Sequence, residues 1–156
     1  MTVTEKKIYP VSGINIGASS SGLRFKNRLD LALFEITPCA NVTCFFTKNR
    51  YAAAPVVVAK ENLSAGSARY LVVNSGNANA GLGSDGIIAA QEVCNAVASE
   101  GQCNSKDVIP FSTGVIGEPL DYLKICTAIP SVFSTLNENN WQNAAKAIMT
   151  TDTFPK

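Results

Sequence analysis

Tyr70-Leu71-Val72-Val73-Asn74-Ser75-Gly76-Asn77-Ala78-Asn79-Ala80-Gly81 opens as a short apolar run, YLVV, and closes as a polar segment rich in Asn and Gly. The apolar run suits a buried strand. Asn and Gly tolerate positive φ, so the chain can turn where the strand ends. Soon after, Gly86 to Ser99 (GIIAAQEVCNAVAS) sets Ile87, Ala90, Cys94 and Val97 on one helical face, with Ser84 or Asp85 placed to cap it. Strand, polar turn and helix in succession make an α/β unit.

Upstream, Leu31 to Ile36 (LALFEI) and Val42 to Thr47 (VTCFFT) read as two neighbouring strands separated by Pro38 and Asn41. Pro55 to Ala59 (PVVVA) reads as a third strand of the buried type. Ser19-Ser20-Ser21-Gly22 reads as a turn. Downstream, Val108 to Ser112 (VIPFS) is a strand whose Pro110 argues for a sheet edge or a strand end. A helix is expected to start near Pro119 and stop before Pro130. Another is expected from Trp141 to Met149, with Trp141, Ala145 and Ile148 on one stripe and Asn139 or Asn140 as its cap. The expectation is one α/β domain over residues 1–156, a mixed sheet with packed helices.

Composition narrows the function. Hydrophobic residues make up 46% of the chain and charged residues 16%, enough apolar surface for a core and too little charge for disorder. The net charge of +1 argues against nucleic acid as a partner. No apolar run reaches the ~18 residues that cross a bilayer, and no secretory signal is visible. The cysteines, Cys39, Cys44, Cys94, Cys103 and Cys126, are odd in number and scattered. That speaks against a disulfide framework or zinc site and for a reducing cytoplasm. There is no histidine, which removes the Ser-His-Asp and Cys-His arrangements and the commonest metal ligand.

Three segments can carry chemistry. In the first, Asn74, Asn77 and Asn79 offer amides that orient a substrate, or that merely satisfy a tight connection. The second is Ser112-Thr113-Gly114-Val115-Ile116-Gly117-Glu118-Pro119, a strand end leading through two glycines towards a helix. Backbone N–H groups in such a turn can face a developing negative charge, as in an oxyanion hole, though ordinary turns look the same. The third is Met149-Thr150-Thr151-Asp152-Thr153, whose polar groups suit a substrate or a helix end. Arg24, Lys26 and Arg28 alternate with Leu23, Phe25 and Leu29 and read as one strand face, solvated or attracting a carboxylate. The Cys39/Cys44 pair has nothing beside it to lower a thiol pKa.

VVNSGNANA (72–80), STGVIGEPL (112–120) and AIMTTDTFPK (147–156) occur in that order, with VSGI at Val11, DLALFEI at Asp30 and FFTKNRYAAAPV at Phe45. Together they resemble the ornithine acetyltransferase, or glutamate N-acetyltransferase, family of arginine biosynthesis, over essentially the whole chain. The resemblance implies an α/β sandwich shared with certain self-processing peptidases. It implies a precursor that cuts itself before an internal threonine, the new N-terminal threonine then acting as nucleophile. An acetyl group passes from N-acetylornithine to glutamate through an acetyl-enzyme, and some members also use acetyl-CoA. No cofactor is implied. The family's oxyanion hole falls on Thr113 and Gly114. A substrate-contacting threonine falls on Thr150, with Thr151 the fallback. The partner implied is the rear (beta) chain of the same precursor, in an alpha2beta2 heterotetramer. The nucleophilic threonine and the substrate lysine of the family lie past Lys156, so this chain is expected to be inert by itself. A non-catalytic assembly domain and a fragment of a related self-processing aminopeptidase are the competing readings.

Overall fold

The computed structural model describes residues 8–38, 40–65 and 67–155. The chain order is β1 (Ile14–Ser19), β2 (Leu31–Ile36), α1 (Ala54–Ala65), β3 (Tyr70–Asn77), α2 (Ser84–Glu100), a short 3-10 turn (Ser105–Asp107), β4 (Val108–Val115), α3 (Tyr122–Ser134) and α4 (Trp141–Ala147). The four strands form one mixed sheet in the order β1-β2-β3-β4. The pairs β1/β2 and β2/β3 are antiparallel, and β3/β4 is parallel. Pro110 accordingly sits in an edge strand, where its missing N–H is tolerated.

Period-two alternation separates two apolar layers. Leu31, Leu33, Tyr70, Val72 and Val108 pack with α2 and α3 on one face. Ala32 and Ile16 pack with Ala144 and Ala147 of α4 on the other, joined by Phe34 and Val73. Ala59 of α1 meets Ala68 and Ile109 in a third cluster. The architecture is therefore mixed α/β, as the alternation of apolar runs predicts. Among the described residues, no helix is long and apolar enough to cross a membrane.

Several local expectations are corrected. Pro55 to Ala59 belongs to helix α1 and not to a strand. Its buried positions, Ala54, Pro55, Val58, Ala59 and Asn62, follow a helical stripe, and Pro55 occupies the first turn, where no N–H is needed. Val42 to Thr47 forms no strand. Val42, Cys44 and Phe46 are half-buried while Asn41, Thr43 and Phe45 are exposed, so the segment alternates like a strand without pairing as one. Val42 and Phe46 instead cover the Ala59–Ile109 cluster.

The helix expected at Pro119 begins at Tyr122 and runs through Pro130. Pro130 lies on the exposed side. The buried stripe Ile125, Ala128, Ile129 and Val132 continues past it and offsets the lost helical hydrogen bond. Helix α2 takes Gly83 as its N-cap, without a side-chain bond, so Ser84 and Asp85 fall inside its first turn. Asn140 stands at the α4 N-cap position, but its amide donates to the carbonyls of Ile16 and Thr135, at 3.2 and 3.3 Å. The buried stripe of α4 is Ala144 and Ala147, with Trp141 packed beside them and Ile148 45% exposed. Strand β1 has no counterpart among the predicted elements. The Cys39/Cys44 reading lies partly outside the described residues, since Cys39 is not among them.

Candidate active site

Strands β3 and β4 run parallel, so their C-terminal ends arrive together. Ser75 pairs with Thr113 and Gly76 with Gly114, and the register shifts by a bulge at Gly76/Asn77. Both glycines have positive φ, 99° at Gly76 and 137° at Gly114. A Cβ on Gly114 would overlap the Gly76–Asn77 peptide, so only glycine permits this close approach.

The connection between β1 and β2 folds over these strand ends. Asp30, 5% exposed, accepts hydrogen bonds from the backbone N–H of Ser21 and of Leu23, the latter at 2.9 Å. A carboxylate accepting two amide donors fixes that loop. Asn27 takes a positive φ of 63°, so residues 24–28 form a turn and not the strand face that alternation predicts. Arg24 and Arg28 consequently face the same cavity, while Lys26 does not line it.

The third wall follows α4. Ser75 donates its hydroxyl to the Ala147 carbonyl at 2.6 Å. Arg28 Nη2 donates to the carbonyls of Met149 and Thr150, at 2.9 and 3.2 Å. Thr150 N donates to Asp152 Oδ2 at 3.4 Å.

These elements enclose a cavity of about 440 Å³ lined by Thr113, Gly114, Thr150 and Thr151 together with Arg24, Phe25, Arg28, Asp30, Ser75, Gly76, Val115 and Met149. Residues of all three sequence segments singled out for chemistry thus meet in one place. From the first segment, the wall takes Ser75 and Gly76. Asn74, Asn77 and Asn79 are 5%, 6% and 0% exposed and bond within the fold. Asn74 donates to the Asn77 carbonyl and accepts from Ser112 Oγ. Asn77 donates to the carbonyls of Glu118 and Pro119. Asn79 donates to the Gly86 carbonyl at 2.9 Å.

The wall has a cationic bias. Asp30 is occupied by amides, and Arg24 pairs with Glu118 at 3.1 Å across the exposed rim. Among the described residues no carboxylate stands within ion-pair distance of Arg28. Such a surface suits a ligand carrying a carboxylate. The sequence offers Arg28 only as one of three charges on a strand face, because the alternation around it imitates a strand. Asn27, the residue type that most readily adopts positive φ after glycine, was the signal for a turn.

The ArgJ family model matches residues 15–156. The arginine biosynthesis bifunctional protein ArgJ of Psychrobacter arcticus is 46% identical over 149 residues, covering 96% of this chain and 37% of that protein. The chain therefore spans well under half the length of this relative. Among solved structures, the ornithine acetyltransferase of Mycobacterium tuberculosis, complexed with ornithine, superposes with a TM-score of 0.85 at 30% identity. That match covers 92% of this chain and 78% of the other. The arginine biosynthesis bifunctional protein ArgJ of Bacillus halodurans gives a TM-score of 0.83 at 29% identity, covering 91% and 74%. With sequence, fold and the order of its motifs in agreement, this chain belongs to the ArgJ family.

Proposed function

We propose that residues 1–156 are one domain, the front chain of a cytoplasmic acetyltransferase of arginine biosynthesis. The enzyme moves an acetyl group from N-acetylornithine to glutamate, and acetyl-CoA is a second donor to test. The observation that supports this reading is the meeting of Thr113 and Gly114 with Thr150 and Thr151 around one cavity.

In this reading the nucleophile is the N-terminal threonine of a rear chain cut from the same precursor, in an alpha2beta2 assembly. Its own amine serves as base, which suits a chain without histidine. The threonine oxygen attacks the acetyl carbonyl, the C–N bond breaks, and ornithine leaves with the proton. The glutamate amine then attacks the acetyl ester, the C–O bond breaks, and the proton lost by that amine returns to the threonine oxygen. Thr113 and Gly114 donate to the oxyanion of each tetrahedral intermediate. Thr150 contacts the substrate, with Thr151 as the fallback.

The test is acetyl transfer from N-acetylornithine to glutamate, measured for this chain alone and for the cleaved full-length protein. The chain alone gives background and the cleaved protein turns over. Turnover by the chain alone, or none by the cleaved protein, overturns the reading.

A further inference from the structure

Helix α4 ends at Ala147, and the carbonyls that follow it have no partner within the helix. Two side chains from other elements take them up. Ser75 holds the Ala147 carbonyl, and the Arg28 guanidinium holds those of Met149 and Thr150 through a single nitrogen. Arg28 is half-buried, its Cζ stands 5.5 Å from the centre of the Phe25 ring, and its loop is fixed in turn by Asp30. A cation at a helix C-terminus is also favoured by the helix dipole. The backbone of Thr150 is thereby tied to the β1–β2 loop, beside the cavity that Thr113 also lines.

We propose that Arg28 is a positioning residue that sets Thr150 against the substrate. This rests on the acetyltransferase reading above. Without the clamp, the segment after α4 loses its two hydrogen bonds to the β1–β2 loop, and the Thr150 backbone is held less firmly. Misplacing a contact by about 1 Å is enough to lose up to ~10²-fold. Because Thr150 is read as a binding contact, the loss falls on KM and not on turnover.

The experiment is a double-mutant cycle on the cleaved full-length protein, with kcat and KM for N-acetylornithine measured for each variant. Arg28→Ala raises KM on the order of tenfold and changes kcat less than about twofold. Combined with Thr150→Ala it adds little, since both changes remove one contact, whereas its effect multiplies with that of Thr113→Ala. Arg28→Lys, which keeps a charged donor with shorter reach, gives an intermediate KM and serves if the alanine variant fails to fold. If Thr150→Ala raises KM but the Arg28 variants do not, or if the two effects multiply, Arg28 does not act through Thr150. Multiplied effects would instead make Arg28 an independent contact of the substrate. A wild type that transfers acetyl with a KM indifferent to Thr150→Ala overturns the Thr150 role and this proposal with it. A wild type without transfer overturns the acetyltransferase reading itself.

Discussion

Gly76 and Gly114 are paired at the end of the parallel β3–β4 ladder, and the Gly76–Asn77 peptide occupies the space where a Gly114 side chain would begin. The two strand ends thus close up because Gly114 carries no Cβ, whereas a Cβ on Gly76 would meet the Arg24 side chain at 3.3 Å.

Gly114→Ala is expected to destabilise the chain. Its φ of 137° disfavours any L side chain, which alone costs about 1–3 kcal/mol, and the overlap with the neighbouring peptide adds to it. Thermal unfolding followed by circular dichroism should show a clearly lower Tm. A wild-type Tm would mean that the two strand ends separate at little cost.

Thr113→Ala keeps the backbone and removes one hydroxyl from the cavity wall. If Thr113 donates to the oxyanion, turnover by the cleaved full-length protein should fall by up to about 10²–10³-fold with KM little changed. Normal turnover with weak substrate binding would move Thr113 into the substrate pocket. A gel of the precursor tests whether self-cleavage slows as well.

Asn79→Ala separates the two uses of the asparagine-rich segment. Asn79 is fully buried, donates to the Gly86 carbonyl at the start of α2, and holds a positive φ of 47°. Its loss should lower stability by about 1–3 kcal/mol in urea denaturation while kcat and KM of the cleaved protein stay near wild type. Wild-type stability with impaired kinetics would return Asn79 to the substrate site.

Stability should decline at alkaline pH. Burial pushes the Cys94 thiol from 9.0 up to about 12, so the folded chain holds its proton where the unfolded chain releases it. This contribution is complete below the unfolded value and is lost as pH rises from 9.0 towards about 12, with a slope of up to about 1.4 kcal/mol per pH unit. Burial raises Cys103, Cys126 and Tyr70 in the same sense. Urea midpoints measured on either side of pH 9.0 should fall less steeply for Cys94→Ala than for wild type. Equal slopes would show that Cys94 does not titrate differently on unfolding.

The sequence alone determined the elements whose signals are local. Leu31–Ile36 and the start of β3 are apolar runs bounded by turn residues, and α2 carries a helical stripe long enough to exclude a strand. The motifs around Thr113 and Thr150 were legible because their residue types and order are distinctive. Local pattern misled wherever a partner decided the outcome. Pro55 to Ala59 is β-branched enough for either state, and a helix was selected by burial of Val58 and Ala59 in two separate clusters. Val42 to Thr47 alternates like a strand but finds no strand to pair with. Above all, Arg28 and Thr150 are separated by 122 positions and meet only because Asp30 folds one loop back while Ser75 anchors the end of α4. Sequence periodicity reports which face of an element is apolar. It carries no term for a guanidinium reaching two carbonyls on a distant segment, and that contact exists only once the layers have packed.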